Sequence, residues 1–208
     1  MVGTAVFKSG LKGFSFAKVR SDDLVGEIER LREEVRTLRA RVRELEEVAG
    51  IDELVGLPNR RSFLESLARL IDRVSRYDIS AALIFVDVDG LKQINDSLGH
   101  VVGDAALTQI AQLLVQGIRK SDFVGRISGD EFGILLERTD ELGAWEMALR
   151  VVERVTASEF KPKGKRLRLS VAVGVGMIRS EDTPQEAIRR ADEQMYRIKS
   201  SGVWTPAE

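Results

Sequence analysis

An α/β domain, built on a mostly antiparallel central sheet flanked by helices and preceded by a long coiled-coil helix, is what the sequence predicts from three observations. Residues 24–45 carry apolar side chains alternately four and three apart. Residues 123–137 read as two strand-forming runs about a turn with Gly129 at its centre. From residue 59 onward the patterns run helix, strand, helix, hairpin, helix, strand, helix, an order that suits helices packed on an antiparallel sheet.

Composition narrows the chemistry. The 208 residues are 43% hydrophobic and 31% charged, enough for one good core plus an extension. A net charge of -1 argues against a general electrostatic nucleic-acid binder. With no Cys and one His, His100, thiolate and His-rich metal centres are excluded, so any metal must be held by oxygen. No apolar run is long enough for a membrane span and no secretory segment is recognisable, which places the expected location in the cytoplasm.

Residues 1–21 are basic, with Lys8, Lys12, Lys18 and Arg20, and are interleaved with Phe7, Leu11, Phe14 and Phe16. Such an arm could meet a membrane surface, an upstream sensor or a partner. Gly3, Gly10 and Gly13 spoil a sustained helical face, so a flexible arm is the expectation. Residues 22–49 follow a heptad, with Ile28, Val35 and Val42 at a and Leu24, Leu31, Leu38 and Leu45 at d. β-Branched a and Leu d positions favour a two-stranded parallel coiled coil, hence a homodimer. The flanking charges agree: Glu27 with Arg32, Glu34 with Arg39 and Arg41 with Glu46 would pair attractively across it.

Residues 50–208 form the expected globular domain. Gly56 and Pro58 break the stalk, and Asn59 caps a helix reaching about Tyr77. Residues 81–86 are a continuous apolar run ending in Asp87-Val88-Asp89, which reads as a central strand buried on both faces with carboxylates at its C-terminal end. A short helix then starts at Gly90-Leu91-Lys92, its free N–H groups suited to phosphate. A further helix is predicted over residues 105–118, followed by the hairpin with Asp130 and Glu131 at its tip. Adjacent carboxylates repel unless a cation offsets them, so the pair is a candidate for divalent metal. Residues 140–158 read as helix, 161–166 as a solvated basic turn, 166–178 as strand and 183–200 as helix, with Gly202 as its C-terminal stop. Gly174-Val-Gly176 resembles a nucleotide-loop fragment, but no helix follows it directly and it carries no weight.

Five motifs in order resemble those of the GGDEF family, the diguanylate cyclases, over about residues 50–203: Asp52-Glu-Leu-Val-Gly-Leu-Pro-Asn-Arg-Arg61, Asp87-Val-Asp-Gly-Leu-Lys-Gln-Ile-Asn-Asp96, Gly99-His-Val-Val-Gly-Asp104, Arg126-Ile-Ser-Gly-Asp-Glu-Phe132, and Ala191-Asp-Glu-Gln-Met-Tyr196 with Lys199. The resemblance implies a fold akin to nucleotide cyclases and polymerase palms. It also implies condensation of two GTP into cyclic di-GMP with release of pyrophosphate, using two Mg²⁺ or Mn²⁺ per site. It assigns metal binding to Asp87, Glu131 and the Val88 carbonyl, with Asp130 as a further ligand or as the base. Substrate contacts fall to Leu91, Lys92, Asn95, Asp104, Gly129 and Lys199, with Asn95 and Asp104 as guanine readers and the two lysines on phosphate. Arg119 and Asp122, five residues ahead of Ser128, resemble the family's RxxD product-inhibition site. Asp89 is left to helix capping and His100 to a structural role.

Four positions depart from the pattern. Ser128 replaces the signature's first Gly, Val55 a usual Thr, Leu91 a usual Phe, and Val203 a usual Arg on the triphosphate. Losing one charge-assisted contact, worth about 1.5–3 kcal/mol, would weaken GTP binding. A domain that binds cyclic di-GMP without making it is the alternative.

Overall fold

A computed structural model describes residues 21–201. The expected arm at residues 1–21, apart from Ser21, and Gly202 and Val203 lie outside the described residues. Two compact units divide the chain, the break falling between Arg43 and Glu44.

The first unit contains most of helix α1, Ser21–Ala49. Its heptad positions Ile28, Leu31, Val35, Leu38 and Val42 are 43–55% exposed among the described residues. Arg30 pairs with Glu27 at 2.7 Å along the helix. Among the described residues, no helix is long and apolar enough to cross a membrane.

The second unit is a four-stranded sheet with helices on both faces. Its strands are β1 (Ala81–Val88), β2 (Phe123–Ser128), β3 (Glu131–Glu137) and β4 (Val171–Met177), in spatial order β2-β3-β1-β4. Every pairing is antiparallel. The helices are α2 (Arg60–Tyr77), α3 (Leu91–Leu98), α4 (His100–Gly117), α5 (Glu141–Ala157) and α6 (Pro184–Ser201). β1 is interior, so it reads as an unbroken apolar run. Its even positions Ala82, Ile84 and Val86 join the core under α4 and α5, while Ala81, Leu83 and Phe85 join the core under α2 and α6.

Local chemistry sets the element ends. Asn59 caps α2 by accepting from the Ser62 N–H at 3.1 Å, and Asp140 caps α5 by accepting from Gly143 at 2.8 Å. Thr183 and Glu186 exchange the reciprocal bonds of a capping box at the start of α6. Glycines set how closely α6 lies on the sheet: a Cβ at Gly174 would overlap the Ala191 carbonyl and Met195. The two glycines 174 and 176 are therefore packing residues, consistent with their receiving no weight as a nucleotide loop.

Three sequence expectations need correcting. α4 starts at His100, not 105, because Gly103 lies inside the helix against Asn95, where a Cβ would collide with Asn95 Oδ1. β4 starts at Val171, not 166: Val171 already faces the last residue of β1, Val88, and Leu167 instead bridges Phe160. Asp89 is not a cap, since Gly90 occupies the N-cap of α3 with no side-chain bond.

Candidate active site at the ends of β1 and β3

Strand period and register build the site. In β1 the odd positions face α2 and α6, which puts Asp87 on that face; in β3 Phe132, Ile134 and Leu136 face α4 and α5, which puts Glu131 opposite to them. Asp87 and Glu131 are register partners. Two carboxylates directly across a ladder repel.

Each has found a partner. Lys199, from the last turn of α6, places its Nζ 2.5 Å from Asp87 Oδ1 and 3.3 Å from Asp89 Oδ1. The Ser128 hydroxyl donates to Glu131 Oε2. Burial alone would lower the Lys199 pKa, but its hydrogen bond to Asp87 and the attraction of Asp87 and Asp89 more than offset this and raise it above the ordinary lysine value. Asp130 sits in the turn, where its backbone carbonyl accepts from the Val88 N–H at 3.0 Å. Its carboxylate makes no hydrogen bond or ion pair among the described residues.

The turn is held from behind. Arg126 donates from Nε and Nη2 to the Gly129 carbonyl at 3.0 and 2.7 Å, and from Nη1 to both oxygens of Asp52 at 3.0 Å. Asp52 in turn accepts from the N–H groups of Leu54 and Val55 at 3.1 and 3.0 Å. The segment ahead of α2 thus clasps the hairpin, and the Arg126 N–H donates to the Pro58 carbonyl at 2.9 Å. Arg126 and Asp52 both lie in the sequence motifs, but their role depends on a contact between residues 74 positions apart. Their signal was a base inside an apolar strand and an acid beside a helix break.

Asn95 and Asp104 lie at one side. The Asn95 carboxamide packs on Gly103, the residue before Asp104, and its Oδ1 is buried with no hydrogen-bond partner among the described residues. Asp104 is exposed. Lys92 is exposed in the first turn of α3, whose N-cap Gly90 brings no side chain to the free N–H groups. Leu91 is buried in the core under α4, so only its backbone remains for a substrate. A Cβ at Gly129, where φ is +21°, would meet nothing within 4 Å. His100 is exposed at the start of α4.

Arg119 and Asp122 are elsewhere. Arg119 lines an open cleft of about 550 Å³ with Arg138, Thr139 and Asp140, beyond the far end of β3. Glu131 and Glu137 at the two ends of that strand are about 20 Å apart at ~3.4 Å per residue. Asp122 turns its carboxylate to the Arg119 backbone N–H at 2.9 Å, and the Arg119 guanidinium makes no ion pair among the described residues.

The donor set suits a hard divalent cation. Among the described residues no group of three or more His, Cys, Asp or Glu is placed to hold a metal ion. Two opposed carboxylates and backbone oxygen are nonetheless what Mg²⁺ takes when it shares its coordination with water and substrate phosphates.

A family model described as "Diguanylate cyclase, GGDEF domain" matches residues 49–203. The chain is 34% identical over 171 residues to the probable diguanylate cyclase DgcE of Escherichia coli strain K12, covering 82% of this chain and 16% of that protein. It is 33% identical over 159 residues to the response regulator PleD of Caulobacter vibrioides, covering 75% and 35%. It therefore spans only about a sixth to a third of those relatives' length. Among solved structures, diguanylate cyclase SiaD of Pseudomonas aeruginosa, determined with its activator SiaC, superposes at a TM-score of 0.71 with 33% identity, covering 88% of this chain and 73% of that one.

Proposed function

The chain belongs to the diguanylate cyclase GGDEF family, and from that premise we propose that it condenses two GTP into cyclic di-GMP and two pyrophosphates. The carrying observation is the register pair Asp87 and Glu131 on one face of the sheet, with Asp130 beside them in the turn. Asp87, Glu131 and the Val88 carbonyl would hold two divalent cations, Mg²⁺ or Mn²⁺, with Asp130 as a further ligand or as the base. Bound there, the cations supply Lewis acidity toward the triphosphate and lower the pKa of the attacking hydroxyl.

The chain's own groups bind and orient. The free N–H groups of α3, with Lys92 and Lys199, take the phosphates. Asp104 accepts from the N–H edge of guanine, beside Asn95, whose Oδ1 has no hydrogen-bond partner among the described residues. Gly129 leaves room for the nucleotide to approach the turn. The 3′-hydroxyl of one GTP attacks the α-phosphorus of the other, the bond to the bridging oxygen breaks and pyrophosphate leaves. Where Asp130 serves as the base, its carboxylate would accept the hydroxyl proton. A second such step closes the ring.

Each domain holds one GTP, so two chains must face each other. The exposed apolar positions of α1 from Ile28 to Val42 and their complementary flanking charges support a parallel homodimer that tethers the two domains. Arg119 and Asp122, remote from the turn, are assigned to inhibition by product. GTP is a cytoplasmic nucleotide, and the cytoplasm is where this reaction would proceed.

The test is direct. Purified chain, incubated with GTP and Mg²⁺ or Mn²⁺, should yield cyclic di-GMP and pyrophosphate in a one-to-two ratio by anion-exchange chromatography. No product from a chain that binds GTP and cyclic di-GMP would favour the second reading, a non-synthetic receptor. What favours that reading is Ser128, whose hydroxyl bonds the carboxylate that the reaction needs for its metal.

A further inference from the structure

Resting on that reading, the contacts of Lys199 point to more than a phosphate ligand. Its ammonium lies 2.5 Å from Asp87 Oδ1 and 3.3 Å from Asp89 Oδ1, between two carboxylates at the strand end. A cation liganded by Asp87 would sit about 2.0–2.1 Å from a carboxylate oxygen. An ammonium at hydrogen-bond distance from the same carboxylate repels it at close range. The two positive charges compete for one group.

The side chain is built to leave. Lys199 is 38% exposed and sits on a flexible four-carbon stem. Its helix does not have to move with it, because α6 is held two turns earlier by Arg190 on Asp182 and on the Met177 carbonyl, and by the close contact of the adjacent Ala191 with Gly174. A triphosphate brings more negative charge than Asp87 and Asp89 together, and so offers the ammonium a better partner.

We infer that Lys199 is an internal counter-ion that keeps divalent cations off Asp87 until a nucleotide triphosphate draws its ammonium away, so that cation and nucleotide bind cooperatively through this one side chain. In the free protein Lys199 neutralises part of the charge of Asp87 and Asp89. When the triphosphate enters, Lys199 turns to it, the Asp87 oxygen is released, and a cation gains both that oxygen and the phosphates. By linkage, the cation must favour nucleotide by the same factor.

The experiment titrates Mn²⁺ into the full chain without nucleotide, reading free Mn²⁺ by its paramagnetic resonance signal. Lys199→Met and Lys199→Gln should bind Mn²⁺ about tenfold more tightly than wild type, within the usual range for coupled sites. Lys199→Arg, which keeps the charge, should remain as weak as wild type. With an α,β-methylene GTP analogue, Mn²⁺ affinity should rise in wild type and rise less in the two neutral variants. Glu131→Gln should lose the Mn²⁺ site in every background. If the neutral variants bind Mn²⁺ no more tightly while Glu131→Gln abolishes binding, the counter-ion role is overturned and the site assignment stands. If Glu131→Gln leaves Mn²⁺ binding untouched, the site assignment falls and this inference falls with it.

Discussion

Just before the middle of α6, Arg190 grips Asp182 through both terminal nitrogens and also donates to the Met177 carbonyl at 2.6 Å; further along the same helix, Lys199 lays one ammonium between Asp87 and Asp89. The Asp182 side chain is 4% exposed and Arg190 25%, against 22% for Asp87 and 38% for Lys199. A planar guanidinium with a carboxylate and a carbonyl to fill its fork has nowhere better to go. An ammonium shared by two half-exposed carboxylates does. One pair fixes the helix on the sheet, and the other leaves the strand end ready to exchange partners. Four predictions press on that contrast.

The largest effect is expected at neither pair but at the acid facing Asp87. Glu131→Gln should abolish cyclic di-GMP formation while leaving the melting temperature unchanged or slightly higher, because it removes one of two opposed charges and no packing. Chromatography of the nucleotides and a thermal melt check both halves. A folded variant that still makes product would detach the whole site from the register pair.

Next comes the clamp. Arg190→Ala should cost about 2–3 kcal/mol in urea unfolding, somewhat below the loss typical of a fully buried broken pair. Burial pushes the Asp182 carboxyl up, but the Arg190 hydrogen bond, the Arg179 N–H and both positive charges outweigh it and hold the pKa below the usual carboxylate value. The folded state therefore binds fewer protons than the unfolded one in that range. The contribution is fully present above the unfolded value of about 3.9 and is lost as pH falls through the lower folded value. Stability of wild type should drop as pH falls below about 4, and Arg190→Ala should drop less over the same acid range.

How far all this could be read beforehand depends on sequence distance. The hairpin, the interior strand and the cap Asn59 were legible because period and turn chemistry are local. The approach of Asp87 to Glu131 came from the family resemblance, since which strand pairs with the hairpin is not a local property. What stayed hidden were partners chosen by tertiary packing: Lys199 lies 112 positions from Asp87, and Arg126 lies 74 from Asp52. Gly103 misled because a helix glycine looks like a break until Asn95 is seen against it. The alternation at residues 166–170 was real, but there is no β1 left for it to pair with beyond Val88.

A third charge sharpens the contrast from outside it. Arg119 has neither the clamp's carboxylate nor the counter-ion's, since Asp122 is spent on a backbone N–H. Arg119→Ala should leave the initial rate within about twofold and raise the product concentration that halves it by about tenfold, the effect of one charge-assisted contact. Progress curves with added cyclic di-GMP measure both. No binding of cyclic di-GMP to wild type by calorimetry would reduce the motif to a turn.

The smallest effect is the most telling for the comparison. Lys199→Met should change unfolding stability by less than about 1 kcal/mol, as expected for a partly exposed ion pair. Some loss should appear, because removing the ammonium leaves Asp87, Asp89 and Glu131 to repel one another. That repulsion is reached by solvent, so the loss should shrink further when salt is raised from about 0.01 M to about 1 M, where the screening length falls from ~30 to ~3 Å. The deficit of Arg190→Ala, with its carboxylate buried, should persist across the same range. A counter-ion that can be surrendered to a nucleotide cannot also be a main support of the fold, since its release would then cost the helix its place. If Lys199→Met proves as destabilising as Arg190→Ala, and equally insensitive to salt, α6 carries two clamps, and Asp87 would not be free to change partners.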